Sequence, residues 1–340
     1  MSSETILFMR HCAGYVELLL VTLLGIPINL FVLYLGSKLV RQSSHVNKLI
    51  VMSMTAADLL FCSIHGPVLY LQFALHYVIP KGVCFLVFCA SYVGSISSSL
   101  SLLLLNVDKF IYIHKPLHYG LIVTRRKIAL GIAMCWCIAI IWTYLILFGP
   151  ATHFIPPCVF HPYTINVYLL FLIVFFAVPI CASFFISLYI GLLVVNNKRQ
   201  NQNAQNRYST DSSSRSLVRH IRRSNSQQPS GTSHLKSIIF VFSTTLWSVF
   251  TCLPYRILYA VSAAHKGNLE RTERTYIMMI LTFMAMTLNP VGNPVITIVT
   301  QRPYVRLVED IWQNICRKQK LQSNQLSLQE AVSRKTTEGT

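Results

Sequence analysis

Apolar residues gather in seven runs separated by polar stretches: about Tyr15–Leu35, Leu49–Leu75, Cys84–Ile113, Ile128–Phe148, Ile165–Val195, Leu235–Ala264 and Tyr276–Val299. A helix rising about 1.5 Å per residue needs about 20 apolar residues to cross a bilayer, and each run is that long. In hydrocarbon every backbone amide must be satisfied inside the protein, which leaves helices or closed barrels; runs of this length are helices. The runs show no internal repeat, so a solenoid is not expected. The pattern predicts an all-α integral membrane protein, with a seven-helix transmembrane bundle over residues 15–299 after a short N-terminal segment, residues 1–14.

Two connections have characters of their own. Residues 196–234 are Ser- and Asn-rich, with few large apolar side chains, and are expected to be disordered for want of surface to bury. Beyond the seventh run lies a tail, residues 300–340. In it Tyr304, Leu307, Val308, Ile311, Trp312 and Ile315 recur every three or four residues, with Arg302, Arg306, Glu309, Asp310 and Asn314 between them. That spacing predicts an amphipathic helix lying on the membrane surface. Cys316 follows, flanked by Arg317 and Lys318, as a palmitoylation candidate or else an unmodified thiol.

Charge fixes the orientation. Only 12% of the residues are charged, half of the roughly 25% usual in soluble domains, so the surplus apolar surface faces lipid. The net charge of +18 does not form a stripe suited to nucleic acid; it sits between the apolar runs. The connections after the first, third and fifth runs hold 3, 4 and 8 Lys and Arg (Lys236 included), and the tail from Gln301 holds 7. The N-terminus and the remaining connections hold 5, which puts the N-terminus outside and the tail in the cytoplasm. Residues 1–14 contain Glu4 and Arg10 and no apolar core, so the first helix is expected to direct insertion itself. No Asn-x-Ser/Thr acceptor occurs, and the ten cysteines are too scattered for a disulfide framework.

Particular residues then carry a resemblance. Asn29 follows Gly25-Ile26-Pro27-Ile28, and Asp58 sits in Thr55-Ala56-Ala57-Asp58-Leu59-Leu60. Cys84 opens the third run and Asp108-Lys109-Phe110 closes it, followed by Lys115-Pro116-Leu117-His118-Tyr119. Trp136, Pro179, Cys252-Leu253-Pro254-Tyr255, Asn289 and Asn293-Pro294 mark the later runs. In order and spacing these resemble the rhodopsin-like (class A) G-protein-coupled receptors, over about residues 15–315.

The resemblance implies several sites. Asp58, with Ser98, Asn289 and Asn293, matches the family's sodium site; a hard cation takes such oxygens, whereas the plainer reading is a neutral Asp58 serving helix packing. Cys84 and Cys158 match the family's disulfide over the ligand cavity, against two free thiols. Asp108, Lys109 and Phe110 stand for Asp-Arg-Tyr, the G-protein-coupling motif, but an ammonium lacks the guanidinium fork. Cys252, Thr297 and Ser187 also stand where the family has Trp, Tyr and Tyr, so four switch positions are altered. The sixth run begins His234-Leu235-Lys236 with no acid nearby to restrain Lys109. Ser91 replaces the amine-binding Asp, which speaks against a biogenic amine, and Thr287 replaces the lysine that carries retinal. Ser91, Tyr92, Ser95, Phe175, Tyr255, Arg256, Tyr259 and Phe283 are expected to line the ligand pocket. Arg256 either pairs within the protein or lipid, or meets an acidic group of the ligand.

The function expected is transduction of an extracellular ligand, peptide or small molecule, to a heterotrimeric G protein at the plasma membrane, with membrane lipid as solvent. Family frequency leans toward a peptide; the short loop from Pro150 to Thr164 leans the other way. A non-signalling scaffold or decoy is the alternative, and a transporter stands further off for want of repeated halves. No catalytic set, metal cluster or phosphate loop marks an enzyme, and no cofactor is expected beyond a sodium ion. Ser224 and Ser226 after Arg222-Arg223 suit a basophilic kinase, unless the arginines serve only the inside-positive bias.

Overall fold

The computed structural model describes residues 3–42, 46–115, 117–148, 152–155, 159–162, 169–170, 172–210, 231–264 and 273–337. Helix α1 (Ser3–Val16) runs through a π-helical stretch, Glu17–Leu24, into α2 (Gly25–Gln42), and together they form the first span. The second is α3 (Asn47–Phe73) and the third α4 (Lys81–His114); the short α5 (Tyr119–Ile122) follows, and α6 (Arg125–Phe148) is the fourth. Strands β1 (Thr152–Ile155) and β2 (Val159–Pro162) pair antiparallel, Ile155 opposite Val159. A π-helical turn, Ile173–Ala177, leads into α7 (Val178–Thr210), and α8 (Gly231–Ala264) is the sixth helix. The seventh divides into α9 (Glu273–Thr287) and α10 (Asn289–Thr300), and α11 (Arg302–Thr337) closes the chain.

Six of the seven helices meet the length and apolarity of a membrane span among the described residues, and the 34-residue α8 carries the remaining apolar run. The outside of the bundle is apolar: Leu23, Leu130, Phe185 and Phe250 are all more than half exposed. The inside is mixed, with Asn29, Asp58, Asn106, Thr244 and Asn293 buried beside Leu35, Ile50, Ile96 and Leu105. A water-soluble fold distributes these the other way, so lipid is the solvent.

Prolines cut the helical ladder, and side chains mend it. Pro294 has no N–H, which leaves the carbonyl four residues back, that of Pro290, without its helical donor. Asn29 Nδ2 supplies the donor at 3.0 Å and ties the first helix to the seventh. At the same break Trp247 Nε1 donates to the Asn289 carbonyl at 3.3 Å. Trp136 Nε1 donates to Ser53 Oγ at 3.0 Å, and Ser53 lies 3.2 Å from Ser101, joining the fourth, second and third helices.

Two expectations need correction. Helix starts at Ser3, so residues 1–14 do not stand apart from the first span. The segment 196–234 is not wholly irregular: α7 runs on to Thr210 and α8 starts at Gly231. No Gly or Pro interrupts 196–210, where Lys, Arg, Gln and Ala favour continuing the helix. Within the connection from Pro150 to Thr164 the short strands β1 and β2 pair, and the fold is the helical bundle expected. The surface helix is found as expected but extends to Thr337: Tyr304 is fully buried, Leu307, Val308 and Ile311 pack on the core, and Trp312 stays exposed.

Candidate functional site

A polar cavity lies at the centre of the bundle. Its lining includes Asp58 on α3, Ser95 and Ser98 on α4, Cys252 and Arg256 on α8, and Asn289 and Asn293 on α10. The room inside it is small, about 30 Å³. Asn293 Nδ2 donates to Asp58 Oδ2 at 2.9 Å, and Ser98 lines the cavity with them. Asn293 Oδ1 is buried with no hydrogen-bond partner. Asn289 shares the cavity but faces elsewhere: its Oδ1 accepts from Ser248 at 3.3 Å and Thr251 at 3.2 Å. Three of the four residues expected around a cation thus converge, and Asn289 spends its oxygen on α8.

Toward the end that carries Cys84, called outer here, the expected pocket residues divide. Ser95 and Arg256 line the cavity. Tyr255 packs against Tyr259 at 5.9 Å and Phe283 at 5.2 Å between ring centroids. Tyr92 and Phe175 instead join an apolar cluster with Ile96 and Phe176, where Phe175 meets Trp142 at 4.8 Å; neither lines the cavity. Ser91 bonds to His65 at 2.6 Å. Cys84 is buried at the outer start of α4, whereas Cys158 lies outside the described residues.

At the inner end Asp108 and Lys109 are both buried and paired, Lys109 Nζ to Asp108 Oδ2 at 3.2 Å. Tyr119 on α5 donates to the other carboxylate oxygen at 2.6 Å. Burial and the Asp108 carboxylate together push the Tyr119 phenol well above the usual tyrosine range, so it remains a donor. Phe110 stacks on His114 at 5.5 Å and meets Tyr189 at 5.9 Å. Ser187 donates to Asn106 Oδ1 at 2.6 Å, and Asn106 Nδ2 reaches Thr245 at 3.5 Å, linking the fifth, third and sixth helices. Thr297 is buried and donates back to the Asn293 carbonyl of its own helix at 2.8 Å. Cys316 is exposed and free on α11. Ser224 and Ser226 lie outside the described residues.

Sequence reasoning passed over two buried ionisable groups. His65 contacts Phe61 and Phe283 at 4.4 and 5.9 Å, and Glu17 is fully buried in the π-helical stretch with neither carboxyl oxygen hydrogen-bonded. Each stood in an apolar run, and an ionisable residue there marks function by default.

The comparisons agree with this geometry. Squid rhodopsin superposes with a TM-score of 0.70 over 92% of this chain and 85% of its own, at 17% identity, which speaks for the fold. The G-protein coupled receptor aex-2 of Caenorhabditis elegans is 28% identical over 295 residues, 83% of this chain and 78% of that protein. Shorter matches include the muscarinic acetylcholine receptor M4 of Gallus gallus, 33% identical over 39% of this chain and 26% of its own length. Histamine H1 receptor of Cavia porcellus is 28% identical over 37% and 26%. The model of the 7 transmembrane receptor (rhodopsin family) matches residues 28–296, most of the bundle, and the chain belongs to that family of membrane-embedded signalling receptors, which are not enzymes.

Proposed function

We propose that this receptor sits in the plasma membrane with its N-terminus outside, binds an extracellular peptide or small molecule in the outer cavity, and activates a heterotrimeric G protein at the inner end. The observation that carries the reading is the buried Asp108–Lys109 pair held by Tyr119: a cationic device at the family's coupling position, connected through packed helices to a polar cavity. A ligand shifts such a bundle only by binding one arrangement better than another. Amine recognition by the histamine and muscarinic relatives does not carry over, because Ser91 offers no carboxylate and already bonds to Val87 and His65.

Asp58, Ser98 and Asn293 would hold a sodium ion. The carboxylate, a hydroxyl and the otherwise unbonded Asn293 Oδ1 form an oxygen set suited to a hard cation, whose charge would offset that of Asp58. Arg256 lines the same cavity, so its charge opposes the ion and weakens the site. Cys84 joined to Cys158 would tie the hairpin connection to α4, and a palmitate on Cys316 would hold α11 to the inner leaflet. Replacing Cys84 and Cys158 by serine singly and together tests the bridge: three equal losses of surface expression support it, and additive losses oppose it.

A receptor-like decoy that binds without signalling is the second reading, favoured by the altered positions Lys109, Cys252, Thr297 and Ser187. Expression in cells with second-messenger readouts, screened against peptide and small-molecule panels, separates the two. A ligand that binds the purified receptor yet moves no messenger favours the decoy.

A further inference from the structure

Two histidines meet at the outer end of the bundle, apart from the central cavity and the coupling motif. His11 stands on α1 and His76 in the turn between α3 and α4, with ring centroids 4.9 Å apart and ring planes at 87°. Gly14 lets the two elements come this close: a Cβ there would lie 2.8 Å from the Ala74 nitrogen and 2.9 Å from the Ala74 Cβ. The His11 ring is oriented by its own helix, since Nδ1 lies 2.9 Å from the Leu7 carbonyl. A carbonyl only accepts, so Nδ1 carries the proton, and in the neutral ring Nε2 keeps a lone pair. Metal-binding histidines are usually held this way, by a hydrogen bond from the other ring nitrogen to a carbonyl behind it. His76 has φ 52°, in the left-handed region where glycine is the usual choice after a helix. The Tyr77 N–H folds back to the Leu71 carbonyl at 3.0 Å and fixes this turn. A residue other than glycine persists there only where its surroundings hold it, and the exposed imidazole is set against His11.

We propose that His11 and His76 form a two-histidine site for a divalent transition metal of the zinc class, which bridges the first helix to the turn after the second. Imidazole nitrogens suit zinc, copper and nickel, whereas magnesium and calcium take oxygen. Spacing supports the bridge. Tetrahedral zinc about 2.0–2.1 Å from each nitrogen sets two ring centroids roughly 5 Å apart, and the observed pair stands at 4.9 Å. No third His, Cys, Asp or Glu joins them in a metal-holding group among the described residues, so water completes the coordination. Arg10, next to His11, turns onto the Phe73 ring at 5.6 Å from its centroid, and its charge opposes the ion. The site is therefore one of modest affinity, for an ion that comes and goes with its concentration. When bound, the ion ties α1 to the turn after α3, so the outer ends of the first two helices move as one. Neither the receptor's ligand nor a G protein enters into this proposal.

The test uses purified full-length receptor in nanodiscs, with no histidine tag on either, zinc chloride as the probe and magnesium chloride as the control. Two quantities are read: the thermal midpoint against metal concentration, and the labelling of each histidine by diethyl pyrocarbonate, followed by mass spectrometry. In wild type zinc should raise the midpoint and protect both His11 and His76 from labelling, and magnesium should do neither. His11→Gln and His76→Asn each remove one ligand, and asparagine still tolerates the left-handed backbone. Disturbing even the groups behind a metal ligand costs about 10–100-fold in affinity, so each variant should bind zinc at least about 10-fold more weakly. Combining the two should add little, because one imidazole alone no longer bridges. Zinc that protects only one of the two rings, or neither, overturns the proposal whether or not the variants fold. A midpoint shift that survives unchanged in either variant places the metal on other histidines or on the free thiols, and overturns it equally.

Discussion

Neutralising Asp108 tests the cytoplasmic device directly. Its carboxylate, fully buried, takes Lys109 Nζ at 3.2 Å on one oxygen and Tyr119 Oη at 2.6 Å on the other. In Asp108→Asn the amide oxygen can still accept from Tyr119, but the ammonium loses its counter-charge and turns to the aqueous cleft. A hydrogen bond to a charged partner contributes about 1.5–3 kcal/mol net. If this pairing favours the uncoupled arrangement, its loss raises the ratio of coupled to uncoupled receptor between about 10- and 150-fold, at about 1.4 kcal/mol per factor of ten. Basal second-messenger output, with surface expression matched, reads the shift. Lys109→Arg in parallel keeps the charge and adds the planar fork, and should raise stimulated signalling with little change in ligand affinity, because Lys109 lies at the opposite end from the cavity's outer mouth. Basal output from Asp108→Asn no higher than wild type would refute the reasoning that the pair restrains coupling.

Asp58→Asn should abolish any sodium dependence of ligand binding, measured by titrating sodium against potassium at constant ionic strength; sodium dependence that survives rules out the ion site. Gly292→Ala should lower the thermal midpoint and disturb the seam between α8 and α10, since an added Cβ would collide with the Trp247 indole, and a midpoint equal to wild type would show that the tryptophan moves aside freely. The raised Tyr119 pKa gives a pH expectation. Its bond to Asp108 is fully present below the ordinary tyrosine value near 10, and is lost only as pH rises through the still higher folded value. A difference titration of tyrosinate absorbance, wild type minus Tyr119→Phe, should therefore show that phenol ionising after the exposed tyrosines; ionisation alongside them would mean the bond is not kept.

The bundle was legible because lipid leaves the backbone few choices: seven apolar runs of span length have one helical solution. The single-residue markers gave part of the polar network, since Asn29, Asp58, Asn293 and Trp136 are polar side chains an apolar run has no other reason to hold, but their partners Ser53, Ser101, Asn106 and Thr245 carry no such marker. Which way a side chain turns was not legible. Asn289 has the right type and spacing for a cation ligand, yet Ser248 and Thr251 on α8 compete for its oxygen. Tyr92 and Phe175 look like pocket aromatics, but an aromatic in a helix serves a cavity or a helix seam equally well. His65 and Glu17 were detectable as ionisable residues in apolar runs; they went unread because no family marker pointed to them. Helix ends were the other gap: the polar stretch after Val195 reads as disorder by composition and as helix by propensity, and propensity decides as far as Thr210.

The central claim, that the chain is a receptor acting on G proteins, is tested most directly by nucleotide exchange. Wild type and Asp108→Asn, each purified into nanodiscs and shown folded by a cooperative thermal transition, are mixed with each class of heterotrimeric G protein. Guanine-nucleotide exchange is then timed against empty discs. The account predicts that at least one heterotrimer exchanges faster with Asp108→Asn than with wild type, and faster with either than with empty discs. Folded receptor that leaves every heterotrimer at the empty-disc rate would contradict it.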